Sequence, residues 1–283
     1  MPLIKTEKLS HTYSAGTPFE RAAIQNISFA AEKGECIGII GHTGSGKSTF
    51  IQHLNGLLKP TSGQIYYDGH DIHASKDFRR RLRFTVGLVF QYPEYQLFES
   101  TVYDDIAFGP RNMELSEPEI RERVYEASEL ALLDEALLDK SPFELSGGQK
   151  RRAAIAGVIA MRPEALILDE PTAGLDPRGR EEIITNILNY KSANNATVII
   201  ITHSMEEIAR TADRIVLFDH GRIAMEGTPS NVFSESEKLI SMGLTAPKAA
   251  LIAGRLRSLG LPLGRDIYTI TQLRQSLLTL YNE

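Results

Sequence analysis

The sequence GHTGSGKST at residues 41–49 decides the fold. It has the spacing of a phosphate-binding loop, and it stands between a β-branched run that ends at residue 40 and a helical run at residues 50–58. Its glycines allow successive backbone N–H groups to point inward, and the helix that follows adds a positive N-terminal end. We therefore predict that the phosphates of a nucleotide bind to Gly41, His42, Thr43, Gly44, Ser45, Gly46, Lys47, Ser48 and Thr49.

Two side chains of this loop have separate expected roles. Lys47 is placed to reach the β- and γ-phosphate oxygens as a mobile point charge. The hydroxyl of Ser48 is placed to take one coordination position on a magnesium ion. ATP and Mg²⁺ are thus the predicted cofactors. An ordinary glycine turn is the alternative, and the strand and helix on either side argue against it.

Two acidic residues follow an apolar run at residues 165–168. The carboxyl ends of such strands are where α/β folds bind ligands, so Asp169 is predicted to hold magnesium and Glu170 to orient the attacking water. The alternative is that this Asp-Glu pair at a strand end only caps the N-terminus of the next helix. The phosphate-binding loop upstream favours the catalytic interpretation.

Two kinds of strand pattern surround these motifs. Short β-type stretches separated by turn residues, at residues 3–9, 24–30 and 64–68, predict a small antiparallel sheet. Nearly continuous β-branched runs predict a parallel sheet covered on both faces, with strands at residues 36–40, 86–90, 165–168 and 197–201. The fold class is therefore α/β, with an antiparallel subdomain near the N-terminus.

Helical patterns occupy two further parts of the chain. Between residues 91 and 145 a capping box at Ser116 launches an amphipathic pattern, which predicts a helical insertion at about residues 92–160. A hairpin around residues 219–221 precedes two more amphipathic patterns, which residues 260–264 separate. We expect one nucleotide-binding domain at residues 1–242 and a C-terminal helical appendage at residues 243–283.

Composition excludes several classes of protein. With 283 residues, of which 42% are hydrophobic, the chain is long enough for a full-sized core. A net charge of −5 argues against the excess of basic residues that binding to nucleic acid requires. Cys36 is the single cysteine, which fits a reducing compartment. Its apolar runs are too short to span a bilayer. The expected location is the cytoplasm, with any membrane contact made through another protein.

The motif Leu145-Ser146-Gly147-Gly148-Gln149 presents a second glycine-backed helix N-terminus. With it the sequence resembles the ABC ATPase family, whose motifs occur here in order on a P-loop NTPase core. The resemblance implies that Gln91 contacts magnesium or the water and senses a membrane partner, that His203 contacts the γ-phosphate, and that Asp176 bridges two protomers. It also implies that Tyr13 stacks on adenine, although Tyr13 could pack on its sheet and His203 could be a capped histidine at a strand end.

The expected site follows from these assignments. The predicted catalytic residues are Lys47, Gln91, Glu170 and His203, and the predicted metal ligands are Ser48, Gln91 and Asp169. Outside the phosphate-binding loop, the predicted nucleotide contacts are Tyr13, Ser146, Gly147, Gly148, Gln149 and Asp176.

Three stretches narrow the resemblance to the ATPases of energy-coupling factor importers: residues 41–49, residues 91–110 and the sequence LDEPTAGLDPRGR. The pattern PEYQLF at residues 93–98 is most similar to the second of the two ATPases in such importers. This implies that the chain pairs with a related ATPase, as a heterodimer or as a homodimer in isolation. It further implies a transmembrane scaffold and a substrate-binding membrane protein as partners, and a peripheral place on the cytoplasmic face of the membrane.

Other functions remain as alternatives. One is the ATPase of a conventional ABC importer, and another is a soluble ABC ATPase outside transport. An inactive nucleotide-binding subunit is the third, and the presence of Glu170 and His203 argues against it. The transported vitamin or metal ion leaves no trace in this sequence.

Two segments are expected to make contacts with partners. Residues 92–98 combine three aromatic side chains with Pro93 and Leu97, which predicts a surface that couples the ATPase to the scaffold. Local core beneath the helical insertion is the alternative. In the appendage, Leu273, Leu277 and Leu280 share one helical face and predict a dimer contact, unless that face packs on its own domain.

Overall fold

The structure, a computed structural model, describes residues 1–282. In chain order the strands are β1 Ile4–Tyr13, β2 Arg21–Ala31, β3 Cys36–Ile40, β4 Ser62–Tyr67, β5 His70–Asp71, β6 Val86–Val89, β7 Ala165–Asp169, β8 Thr197–Ile201, β9 Arg214–Asp219 and β10 Arg222–Gly227. The α-helices are α1 Lys47–Leu54, α2 Lys76–Thr85, α3 Val102–Asn112, α4 Glu117–Leu130, α5 Gly147–Ile159, α6 Pro177–Asn194, α7 Met205–Thr211, α8 Pro229–Ser234, α9 Ser236–Ser241, α10 Lys248–Ser258 and α11 Ile270–Asn282.

The strands form two sheets. The smaller sheet has the order β2-β1-β4-β5 and is antiparallel. The larger sheet has the order β10-β9-β3-β8-β7-β6 and is parallel except for the hairpin of β9 and β10 at its edge. The predicted α/β class with an antiparallel subdomain is therefore confirmed.

Both faces of the parallel sheet are buried. Successive side chains of a strand point to opposite faces, so neighbouring residues of one strand belong to different hydrophobic clusters. In β3, Cys36 and Ile40 lie in one cluster with residues of helices α3 to α7. Ile37 and Ile39 lie on the other face, in a cluster with residues of α1 and the antiparallel sheet. The strand is buried along its whole length. This two-sided burial explains why its sequence is a continuous apolar run rather than an alternating one.

One predicted element is shorter than expected. The helical run at residues 50–58 ends as α1 at Leu54, because Gly56 takes a positive φ of 71° and turns the chain. The helix also begins earlier than the apolar pattern, at Lys47, so that its first turn belongs to the phosphate-binding loop.

The helices between residues 92 and 160 share a core with the parallel sheet. Val102 of α3 and Ile120 of α4 lie in one hydrophobic cluster with Leu168 of β7 and Ile183 of α6. The predicted capping box at Ser116 is present at the start of α4. The boundaries of the helical insertion at residues 92–160 and of the domain at residues 1–242 stay predictions.

The C-terminal appendage has a small core of its own. Leu273 is buried there, and Leu277 and Leu280 pack against the same cluster, which includes Ala249 and Ala253 of α10. Leu277 and Leu280 stay partly exposed in the single chain, so the expectation that these three leucines form a dimer face stays a prediction. Their helical spacing serves the packing of α11 on α10, and dimerisation through the appendage at residues 243–283 stays a prediction.

Within residues 1–282, none of the helices combines the length and the apolar character that crossing a bilayer requires.

Candidate functional site

The phosphate-binding loop joins β3 to α1 with a backbone that glycine makes possible. Gly41 has a φ of 151°, and a Cβ on it would lie 2.4 Å from the carbonyl oxygen of Phe218. Gly46 has a φ of 102°, and its Cβ would lie 2.6 Å from the carbonyl oxygen of Ala23. A side chain at either position would displace backbone atoms, so these two glycines fix the path of the loop.

Lys47 occupies the centre of its own loop. Its Nζ donates hydrogen bonds to the carbonyl oxygens of Gly41, at 2.7 Å, and His42, at 3.0 Å. Burial lowers the pKa of Lys47, an effect that the charges of Asp169 and Glu170 oppose. The buried ammonium thus has two acceptors that it can exchange for the oxygens of a phosphate.

The structure brings Ser48 and Asp169 together as predicted, with the Oγ of Ser48 donating to Oδ2 of Asp169 over 2.9 Å. Burial raises the pKa of the Asp169 carboxyl, and the hydrogen bond from Ser48 and the charge of Lys47 oppose that shift. A hydroxyl and a carboxylate are hard oxygen donors of the kind that Mg²⁺ takes with its water and phosphate ligands. The pair therefore fits a magnesium site.

Gln91 is exposed in the loop after β6, which is the neighbour of β7. Within residues 1–282 its side chain makes no hydrogen bond to Ser48 or Asp169, although its carbonyl oxygen lies 3.5 Å from the guanidinium of Arg151. Gln91 thus lies at the carboxyl edge of the sheet, next to the strand that carries Asp169, and its contact with magnesium stays a prediction.

Glu170 has the geometry of a group held for reaction. Its φ is 52°, a left-handed conformation that is uncommon for a residue other than glycine. Its side chain is largely buried, and its Oε1 lies 3.2 Å from Nε2 of the half-exposed His203, in an orientation that makes no hydrogen bond. Burial raises the pKa of Glu170 to about 7, and burial lowers the pKa of His203. These shifts suit a base that works near neutral pH.

The raised pKa of Glu170 predicts a pH-dependent stability. The protonated form of Glu170 favours the folded chain relative to the unfolded one. This contribution to the free energy of unfolding is fully present below the ordinary pKa of 4.5 and is lost as the pH rises through about 7. We therefore expect Glu170→Gln to raise the melting temperature of the nucleotide-free chain at pH 8 by about 2–4 °C, for a relief of about 1 kcal/mol. At pH 5 the two proteins should melt alike.

Differential scanning calorimetry at both values of pH checks this expectation. The exposed Glu135→Gln in the helical segment is the matched control, and it should change neither melting temperature. An equal gain for Glu170→Gln at pH 5 and pH 8 would contradict a buried carboxylate that titrates near neutrality.

Sequence reasoning missed Glu207, which lies on α7. Its carboxylate accepts hydrogen bonds from Thr172 at 3.1 Å and from Thr202 at 3.2 Å. Thr172 follows Glu170 in the loop after β7, and Thr202 precedes His203 in the loop after β8, so one side chain holds both loops. The pattern Ser204-x-x-Glu207 resembles a capping box, but the Glu207 side chain reaches these loops instead.

A cleft of about 180 Å³ lies beside the loop, and Tyr13, Lys47 and Ser48 line it. The hydroxyl of Tyr13 is 3.2 Å from Oγ1 of Thr49, and its ring is partly exposed. Arg21 and Ala23 also line the cleft, a position that no sequence pattern indicated. The tyrosine is thus beside the phosphate-binding loop, as contact with a base requires, rather than covered by its sheet.

The motif at residues 145–149 begins α5, at a place outside this cleft. Ser146 and Gln149 cap the helix reciprocally, because Gln149 N donates to the Ser146 hydroxyl and Ser146 N donates to the Gln149 amide. A Cβ on Gly147 would meet no atom within 4 Å, and one on Gly148 only Leu175. The helix end is thus open and is not joined to the chain's own phosphate-binding loop. Asp176, also exposed, caps α6 by accepting from Gly179.

Comparison with protein families gives two matches. A family model described as "ABC transporter" matches residues 24–173, which include the phosphate-binding loop, Gln91, the motif at residue 145 and Glu170. A second model, described as "AAA domain, putative AbiEii toxin, Type IV TA system", matches residues 139–209. The second match begins downstream of the phosphate-binding loop, so it carries less of the site.

Curated relatives cover nearly the whole chain. The sequence is 53% identical to the energy-coupling factor transporter ATP-binding protein EcfA2 of Caldanaerobacter subterraneus subsp. tengcongensis, over 97% of this chain and 96% of that protein. It is 52% identical to the protein of the same name from Clostridium perfringens, over 98% of each chain.

The chain is also similar to solved structures. The chain superposes on cbiO1 from Clostridium perfringens, described as part of the ABC transporter complex cbiONQ, with a TM-score of 0.75 and 41% identity over 91% of this chain and 98% of that one. A dimeric ATP-binding cassette bound to ADP and phosphate, MJ0796, gives a TM-score of 0.74 and 28% identity over 80% of this chain and 98% of that one.

Proposed function

The chain belongs to the ATP-binding proteins of energy-coupling factor transporters, within the ABC transporter family, and we propose that it hydrolyses ATP as one member of a pair of related ATPases. The pair lies on the cytoplasmic face of the membrane. It binds a transmembrane scaffold, which also holds a separate substrate-binding membrane protein. The imported substrate is a vitamin or a transition-metal ion.

The observation that carries this proposal is the separation of two anion-binding helix ends in one chain. The phosphate-binding loop precedes α1, whereas the open end of α5 at Ser146 lies outside the cleft beside that loop. Each helix N-terminus favours negative charge. One nucleotide is therefore held between the loop of one protomer and the α5 end of the other, and two protomers enclose two nucleotides.

The residues of the loop act first. When ATP binds, Lys47 exchanges the carbonyl oxygens of Gly41 and His42 for phosphate oxygens. Ser48 and Asp169 would hold magnesium, which would neutralise part of the phosphate charge. Glu170 in its ionised form orients the attacking water, and His203 beside it donates to the γ-phosphate. Thr172 and Thr202, both bound to Glu207, hold the two loops in register during this step.

A composite site makes hydrolysis depend on association. We expect the isolated chain at high dilution to hydrolyse ATP about 10²-fold more slowly than the assembled pair, because it lacks the donors at the partner's α5 end. Phosphate release is measured while purified partner ATPase is added, and light scattering reports the molecular mass. Full activity in a sample that is demonstrably monomeric would contradict the composite site, and bovine serum albumin is the control addition.

We place the contact with the scaffold at residues 92–98, called here the coupling surface. Tyr95 is 85% exposed and Phe98 is 61% exposed, with the ring of Phe98 packed edge-on against Phe108 at 5.0 Å. Local core describes only Pro93, which is buried, and Leu97, which packs on the main cluster. Exposed aromatic side chains of this density are typical of protein interfaces.

A buried arginine connects the coupling surface to the nucleotide. Arg151 lies one turn into α5, and its guanidinium is 3.5 Å from both the carbonyl oxygen of Gln91 and the carboxylate of Glu94. A groove of about 300 Å³ beside this point is lined by apolar side chains that include Phe98 and Met161. When the N-terminus of α5 binds the partner's nucleotide, α5 moves. Arg151 moves with it, and its contacts carry this displacement to the coupling surface.

Replacing Tyr95 and Phe98 together by serine tests this assignment. We expect nucleotide binding by the ATPase pair to remain, while binding to the scaffold weakens by about 30-fold or more, because two aromatic anchors contribute at least about 1 kcal/mol each. Co-purification with the scaffold and substrate uptake into vesicles measure the two effects.

The control is Phe19→Ser, which removes another exposed aromatic side chain. Phe19 lies in the connection between β1 and β2, distant in sequence from the coupling surface. Scaffold binding equal to that of the control would move the contact elsewhere. A lowered melting temperature of the double variant would instead support a local packing role.

A further inference from the structure

Three side chains outside the predicted magnesium site converge beside the phosphate-binding loop. His42 belongs to the loop, Asp219 is the last residue of β9, and His220 begins the turn to β10. Nε2 of His42 lies 2.9 Å from Oδ1 of Asp219, and Nε2 of His220 lies 3.7 Å from the same oxygen. One ligand atom from each of the three lies within 4.8 Å of the others.

The imidazole of His42 faces an acceptor at each nitrogen. Its Nδ1 is 2.9 Å from the carbonyl oxygen of Thr43, and its Nε2 is 2.9 Å from the carboxylate of Asp219. A neutral imidazole carries one N–H and can donate to only one of these oxygens. With that proton on Nδ1 and donated to the Thr43 carbonyl, the bare Nε2 lies beside the Asp219 carboxylate and is free to act as a metal ligand.

We propose that His42, Asp219 and His220 bind a divalent transition-metal ion of the Zn²⁺ class. Two imidazoles and one carboxylate are a donor set that such ions take, with a further position open to water. The hydrogen bond from Nδ1 of His42 to the Thr43 carbonyl orients its Nε2 as a ligand, in the way that outer partners of metal-binding histidines do. The three side chains range from partly to highly exposed, so the ion can enter from solvent.

The position of this site gives it an effect on the loop. Backbone contacts already join the two segments, since Gly221 N donates to the carbonyl oxygen of Ser45 over 3.0 Å. A metal ion adds a cross-link between the same segments. It binds only the folded arrangement, because His42 is distant in sequence from the other two ligands, and it therefore stabilises the fold in proportion to its concentration.

Equilibrium dialysis of the full, untagged and nucleotide-free chain against Zn²⁺ tests the proposal. We expect one Zn²⁺ per chain, a rise of the melting temperature with Zn²⁺, and ligand-field absorption when Co²⁺ replaces Zn²⁺. His220→Ala should weaken Zn²⁺ binding by at least about tenfold and abolish the thermal shift. Asp219→Asn should do the same while keeping the shape of the turn.

The matched control is His70→Ala, which removes an exposed histidine whose Nδ1 is engaged by the carbonyl oxygen of Asp68. This variant should bind Zn²⁺ like the original chain. Absence of stoichiometric Zn²⁺ binding in the original chain would overturn the proposal. Equal affinities of His220→Ala and His70→Ala would overturn it as well.

Discussion

Replacing Glu170 by glutamine lowers the rate of ATP hydrolysis by the assembled pair by about 10²- to 10⁴-fold, the usual contribution of a positioned base. ATP binding remains, because glutamine keeps the shape of the side chain and Lys47, Ser48 and Asp169 are unchanged. The amide cannot accept the proton of the attacking water. Equilibrium binding of ATP and release of phosphate, measured on the same complex, separate the two effects.

The partner ATPase must be silent in this experiment, so its own phosphate-binding lysine is replaced in all samples. Glu135→Gln serves as the control carboxylate and should leave hydrolysis unchanged. Hydrolysis by Glu170→Gln at the rate of this control would refute the role of Glu170. A parallel loss of ATP binding would show that the carboxylate supports the nucleotide rather than the water.

Replacing Lys47 by alanine weakens ATP binding by about 100-fold, since charge-assisted hydrogen bonds of about 3 kcal/mol are lost. The expected effect is on the dissociation constant itself, which distinguishes it from the effect of Glu170→Gln. Fluorescence anisotropy of a labelled ATP analogue measures that constant.

The truncation also leaves the carbonyl oxygens of Gly41 and His42 without their donor. Lys47→Met, which keeps the apolar stem, and the melting temperature of each variant show whether the loop is still folded. Lys238→Ala, at an exposed position of α9, is the charge control. ATP affinity of folded Lys47→Met equal to that of the control would contradict the assignment.

The parts of the fold that could be predicted from sequence are those in which local pattern and tertiary role coincide. The run at residues 36–40 is buried on both sides, so its apolar composition alone identified β3 with its correct ends. The meeting of Ser48 and Asp169 could be predicted from their motifs, because each motif follows a strand at the carboxyl edge of one parallel sheet, while their binding of magnesium stays a prediction. The capping box at Ser116 is likewise local, and it marks the start of α4.

What could not be predicted depends on which surfaces meet. The leucine spacing at residues 273–280 is the same whether α11 faces α10 or another protein, so periodicity could not choose between them. Arg21 reaches the cleft from a strand of the antiparallel sheet, and Glu207 reaches two loops from α7. Both depend on contacts between segments distant in sequence.

The left-handed backbone at Glu170 has a consequence for how this position can evolve. A residue other than glycine, asparagine or aspartate in that conformation costs about 1–2 kcal/mol. Substitution by glycine or asparagine relieves that strain and removes a buried carboxylate, so it favours the folded state on both counts. The same substitutions remove the group that orients water. Thermal stability and turnover are therefore opposed at this one position, and a screen that selects only for heat resistance will tend to enrich inactive sequences here.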